Sequence, residues 1–175
     1  MELLFKVAGA VCVVGSLGLY ARERSEKIDM RLTHLMQIYN ILLQLKSELK
    51  YMSSTLPECF GQLSKHVNEP FDKWLFNLHA EMESERTGRF ADIWLDKLGE
   101  LKEESSLADG DIDLLAELMD KLGSADVDAS VKAIDYVLLR LEENRELLKS
   151  EMYQKKRVIV SLSLFVGLIT VILLF

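Results

Sequence analysis

The sequence predicts an all-α protein: a six-helix bundle in water, held between a membrane-spanning helix at each end of the chain. Three observations carry this expectation. Apolar residues recur at alternating four- and three-residue intervals over two long stretches, the mark of a helix with one buried seam. The 175 residues include only two prolines and nine glycines, too few for a loop-rich or β protein. The stretch from Val158 to Phe175 carries no charge and is long enough to cross a bilayer as a helix.

The expected organisation is a transmembrane helix over 1–21, a water-facing helical domain over 22–157 and a second transmembrane helix over 158–175. In the first of these, Leu3 to Ala21 has Lys6 as its only charge. A cleaved signal peptide wants a basic start and a small-x-small cleavage site. Here Glu2 opens the chain, Leu19-Tyr20-Ala21 is a poor site, and the basic residues Arg22, Arg24 and Lys27 follow the apolar run. An uncleaved anchor fits better. The second span is preceded by a basic collar, Lys155, Lys156 and Arg157. Both basic flanks therefore face the central domain, and the positive-inside rule places that domain in the cytoplasm.

The first water-facing helix continues the first span, from Arg22 to about Met52. Ile28, Leu32, Leu35, Tyr39, Leu42 and Leu49 mark its seam, with Lys46 interrupting it. Met36, Ile38, Leu43 and Leu45 form a second apolar row, expected to widen the buried face. Thr55 and Glu58 form a capping box with Pro57 in the tolerated first turn, opening a helix to about His66. Asn68 and Pro70 open the next, through Trp74, Leu75, Leu78 and Met82, and Thr87-Gly88 ends it. Phe90, Ile93, Trp94, Leu98 and Leu101 line a fourth. After a turn at Ser105 to Gly110, Asp111 is expected to cap a helix carrying Leu114, Leu115, Leu118 and Leu122, with Gly123 just past its end. Ser124 is expected to cap the last stalk, and Asp126 and Asp128 sit favourably near its N-terminus. Its seam is Val127, Val131, Ile134, Leu138, Leu141, Leu148 and Met152, with Arg145 at the one position that is not apolar. The first stalk, 22 to 52, and the last, 126 to 157, each span about 46–48 Å at 1.5 Å per residue. Both leave the same membrane face, so they are expected to lie antiparallel.

Net charge is −7, and from Asp92 to Glu146 there are 6 basic and 16 acidic residues, or −10. Such a surface repels phosphate backbones, which argues against nucleic-acid binding. No Gly-rich phosphate loop and no nucleophile-base arrangement is present, so no catalytic site is proposed. His34, His66 and His79 lack neighbours at metal-ligand spacing, and His79 with Glu83 reads as an i,i+4 surface pair. Asp109, Asp111 and Asp113 alternate like the start of a calcium loop, but Leu114 and Asp120 stand where such a loop needs Gly and Glu. No metal or cofactor is expected. Cys12 and Cys59 fall in different compartments on this topology, so no disulfide is expected.

The segment Leu122-Gly123-Ser124-Ala125-Asp126, followed by Lys132, Ala133 and Ile134, resembles the Leu-Gly-x-Ser-Asp…Gln-x-Lys-x-Ile block of the stage III sporulation protein AB family. Ala125 departs from its Ser and Ser130 from its Gln. Leu45, Glu48, Leu49, Tyr51, Leu56, Pro57 and Glu58 are similar to the family's Leu-x-x-Glu-Ile-x-Tyr…Pro-Leu-x-Glu region, with Pro and Leu in swapped order. Trp94 and Gly167-Leu168 also match. The resemblance implies an F-domain-like six-helix bundle, related to the platform proteins of type II secretion and type IV pilus systems. It implies a non-enzymatic scaffold in the mother-cell membrane around the forespore. The implied partners are the bilayer, other membrane components of the apparatus and a cytoplasmic hexameric ATPase, the sporulation AA protein. Ser124, Asp126 and Asp128, at the end of the last stalk far from the collar, are the expected docking residues. A platform of a general type II secretion or type IV pilus-like system and a stalked membrane signal transducer are the alternatives. The first usually carries two F-domains, and the second needs an outside sensor for which the predicted tails are too short.

Overall fold

The computed structural model describes the backbone of residues 2–51, 55–84, 89–122 and 126–174, and within these the side chains from 26 to 152. Among the described residues the chain is all helical: α1 (Glu2–Tyr51), α2 (Leu56–Leu63), a 3-10 turn (Ser64–His66), α3 (Phe71–Glu83), α4 (Phe90–Glu104), α5 (Asp109–Ala116), α6 (Met119–Leu122) and α7 (Val127–Leu174). It packs as two units. One joins the chain ends, Met1–Met30 and Glu146–Phe175, and the other is Arg31–Arg145. Among the described residues no helix is long and apolar enough to cross a membrane. The predicted spans, 1–21 and 158–175, lie outside the described side chains.

The core of the 31–145 unit is built where the four-three spacing places it. Leu35, Leu42 and Leu45 of α1 and Ile134, Leu138 and Leu141 of α7 are buried. Two further residues join them that the predicted seams omit, Ile41 and Val137. The seams fade towards their ends, where Val127 is 46% exposed and Val131, Ile28, Leu32 and Leu49 are half-buried, and Tyr39 in the middle of the first is half-buried as well. The second row of α1 divides. Ile38 and Leu45 turn inward, whereas Met36 and Leu43 are 46% and 47% exposed. At 100° per residue positions 36 and 43 lie on the side of the helix away from 35, 38, 42 and 45, so the apolar row is two faces rather than one wide one. Lys46, the interruption in the first seam, reaches Asp135 on α7. Arg31 and Asn144 meet at a common partner further along, so residue numbers rise along α1 as they fall along α7. That is the antiparallel order.

The shorter helices close over an aromatic cluster. Trp94 of α4 is fully buried, with ring centroids 5.3 Å from Trp74, 5.6 Å from Phe90 and 6.0 Å from Phe60. Its Nε1–H donates to the Leu115 carbonyl at 2.9 Å. This bond explains a departure from the sequence. Where one helix was expected from Asp111 to Leu122, α5 stops at Ala116 and α6 begins at Met119. The Leu115 carbonyl is shared between the indole and the Leu118 N–H, a tight i→i+3 bond, and the regular ladder is interrupted there. Leu114, Leu115, Leu118 and Leu122 are buried all the same.

The punctuation is mostly as expected. The Thr55 N–H donates to the Glu58 carboxylate at 2.9 Å, closing the back half of the capping box and holding that carboxyl below its usual range. The Asn68 carbonyl accepts the Phe71 N–H at 3.0 Å and opens α3. Gly61 lets α2 approach α3: a Cβ there would lie 3.0 Å from the His79 ring. His79 faces inward across this gap, its Nδ1–H donating to the Pro57 carbonyl at 3.0 Å. It clips α2 to α3, in place of the expected surface pair with Glu83. The predicted breaks at Thr87-Gly88 and Gly123 lie outside the described residues.

Candidate functional site

The predicted docking residues sit where α6 hands over to α7, and the structure separates their roles. Ser124 lies outside the described residues. Asp126 is the N-cap of α7: its Oδ1 accepts the Ala129 N–H at 3.1 Å and its carbonyl accepts the Ser130 N–H at 3.1 Å. Ser130 then ties the junction together. It is 3% exposed, and its hydroxyl lies 2.7 Å from the Lys121 carbonyl and 3.1 Å from that of Asp126. Asp128, one residue into the helix, is exposed, and among the described residues no ion pair holds it. Of the three, Asp126 has a structural task and Asp128 presents a carboxylate to solvent at the positive end of the helix dipole. Asp120 is exposed nearby in sequence and adds to the negative surface.

The strongest polar constellation is one that the sequence reading missed. Asp111 is fully buried. Arg31 of α1 grips it with Nε at 2.9 Å and Nη2 at 2.8 Å from Oδ2. Asn144 of α7 donates to Oδ1 at 2.9 Å, and the Ala108 N–H donates to Oδ2 at 2.9 Å. Asp111 is thus not a cap but the third residue of α5, closing the helix start from inside and tying α1, α5 and α7 together. One turn from Arg31, His34 makes a second tie. Its Nδ1 accepts the Ser106 N–H at 2.9 Å, and its ring meets Phe71 edge-on with centroids 5.5 Å apart. Burial holds its pKa below the usual histidine value. The signals were there: Arg31 and His34 share a face of α1 three residues apart, and Asn144 adjoins the polar break at Arg145. Nothing in the spacing tells which Asp completes the set.

This arrangement also accounts for the acidic triplet. Asp109 is exposed and pairs with Lys102 at 3.0 Å, Asp111 points inward, and Asp113 is exposed. The three carboxylates do not converge, and among the described residues no group of His, Cys, Asp and Glu could hold a metal ion. Cys59 is free and buried, and burial pushes its thiol up to about 11, with Glu48 and Glu58 adding to the effect.

A family model described as stage III sporulation protein AB matches residues 6–175. The chain belongs to this family. The stage III sporulation protein AB match runs over both long helices and everything between them. A solved structure titled stage III sporulation protein AB (SpoIIIAB) superposes with a TM-score of 0.65 at 18% identity, covering 71% of this chain and 97% of that one. At that identity the likeness speaks for the fold. Among curated proteins no sequence relative matches.

Proposed function

We propose that this stage III sporulation AB protein is a membrane-anchored platform without enzymatic activity, whose F-domain-like helical bundle docks a cytoplasmic ATPase. In this reading 1–21 and 158–175 are the two membrane spans, and the bundle lies in the mother-cell cytoplasm beside the forespore. Family membership supports the sporulation setting over a general secretion or pilus platform. The apolar end stretches, charge-free from Val158 on and with Lys6 as the one charge from Leu3 to Ala21, each with basic residues on the side of the bundle, support the anchoring. The ATPase, a hexamer of the sporulation AA type, and the other membrane components are the partners the family resemblance implies.

The observation that carries the docking site is the division of labour at the start of α7. Asp126 is committed to the cap, while Asp128 is exposed and held by no ion pair among the described residues. An exposed carboxylate at this place is available to a basic partner surface. The experiment is copurification of the full chain with the ATPase. Asp128→Lys is expected to abolish it while leaving the melting temperature nearly unchanged, whereas Asp126→Ala lowers the melting temperature. Retention of the ATPase by Asp128→Lys would place docking elsewhere.

A further inference from the structure

Helix α1 carries a second seam. Met36, Asn40, Leu43 and Ser47 follow one another at four-, three- and four-residue steps, and all four are exposed. At 100° per residue this row lies about 150° from the buried row Leu35, Ile38, Leu42 and Leu45. A four-three row is how a helix meets one other helix, and two large apolar residues on this one, Met36 and Leu43, stand roughly half out in water. The row is free of charge from Thr33 to Ser47, and the same steps reach Asp29 and Lys50 only at its two ends. From Leu32 to Leu45 no Asp, Glu, Lys or Arg occurs, in a chain where those types make up 28%.

We infer that this row is a homotypic interface, at which α1 of one copy packs in parallel against α1 of a second copy. The chemistry selects a second copy as the occupant. In a parallel pair related by a two-fold axis, each residue meets its own twin. A charged row would repel itself, and this chain carries −7 overall, so two copies resist contact over most of their surface. Between Thr33 and Ser47 the α1 row has no such penalty, and only its end positions, Asp29 and Lys50, are charged. Met36 and Leu43 pair with themselves as apolar contacts. Asn40 and Ser47 each hold both a donor and an acceptor, so each can hydrogen-bond to its twin. A polar Asn between the apolar Met36 and Leu43 also fixes register. The other exposed apolar row, Tyr136, Leu139 and Leu147 on α7, fails this test, because Arg140 and Glu143 lie within it. The parallel direction rests on the anchoring reading above: copies held in one membrane share one orientation.

The experiment is disulfide crosslinking of the full chain in its expression host, in a C12S background, since the native Cys59 is buried. Met36→Cys, Asn40→Cys and Leu43→Cys are introduced singly, with Leu139→Cys as control, and a mild oxidant is added. The expected result is a covalent dimer from Asn40→Cys and Leu43→Cys and none from Leu139→Cys. Adding Leu43→Glu to Asn40→Cys should reduce the dimer at least about tenfold, because like charges opposed in an interface are strongly disfavoured. Its melting temperature should hold, since Leu43 is 47% exposed. Absence of dimer, equal dimer from Leu139→Cys, or survival of the dimer with Leu43→Glu overturns the pairing. A dimer that forms only when Met36→Cys and Ser47→Cys chains are mixed overturns the parallel direction. Crosslinking is scored in whichever fraction holds the chain, so a soluble chain sinks the anchoring while the pairing is still read.

Discussion

Asp111 shows how one polar residue can organise a mainly apolar core. Its carboxylate is fully out of water, and its bonds to Arg31, Asn144 and the Ala108 N–H place partners on both oxygens. Removing one member of such a set strands the others. Asp111→Ala should therefore destabilise the domain by roughly 3 kcal/mol, the lower end of the range for breaking a buried pair, because the Arg31 side chain is 28% exposed and keeps some water. Chemical denaturation measures it, and a loss under 1 kcal/mol would mean that the tie is dispensable. His34 adds a pH signature. Its folded pKa lies below 6.5, the value it starts from, because burial disfavours the imidazolium. The unfolded chain thus binds the proton more readily than the folded one. Stability from this residue is complete above pH 6.5 and falls as pH drops below it, until the folded pKa is passed. His34→Asn, which keeps an acceptor for the Ser106 N–H but does not titrate, should flatten the melting-temperature profile between pH 7 and pH 5. A profile that keeps its slope would assign the acid sensitivity to other groups. The sequence offered the polar residues Arg31, His34 and Asn144 but not their common partner, since residues that meet across 80 and 33 positions leave no local period.

At the scale of elements, apolar periodicity gave the helices and their inward faces, because burial follows the 3.6-residue turn directly. Leu42 and Leu138, picked from the spacing alone, are 0% and 6% exposed. Leu138→Ala should destabilise by about 2–5 kcal/mol, as for other buried leucines. Val127→Ala, at the frayed start of the same row, should stay within about ±0.5 kcal/mol. Equal losses at both sites would mean that the α7 seam continues to its first turn. What periodicity could not reveal was where a helix stops without a Gly or Pro to stop it. The break between α5 and α6 depends on Trp94, a residue 21 positions away, taking the Leu115 carbonyl. Trp94→Phe keeps most of the ring but frees that carbonyl. Nor could periodicity alone tell that Met36 and Leu43 face out, for an apolar row reads the same whether its own chain or another covers it.

For the whole molecule, the two long helices set the terms of the topology. α1 begins at Glu2 and α7 ends at Leu174, so each includes one of the two apolar end stretches as well as a helix of the bundle. Basic residues stand at the bundle side of both stretches, at Arg22, Arg24 and Lys27 and at Lys155, Lys156 and Arg157. The acidic residues between Asp92 and Glu146 do not counter this, since orientation follows Lys and Arg close to a span rather than net charge. The bundle should then be cytoplasmic, and a membrane-impermeant thiol reagent reads this directly. Native Cys59 stays silent in such a test, being buried with its thiol pushed up to about 11. In a C12S chain, Glu103→Cys places a reporter on an exposed position of α4. It should label only after the cells are opened, and the chain should sediment with membranes until detergent is added. Labelling in intact cells would turn the topology over, with the bundle outside. A chain that stays in the supernatant without detergent would remove the spans, and with them the membrane platform.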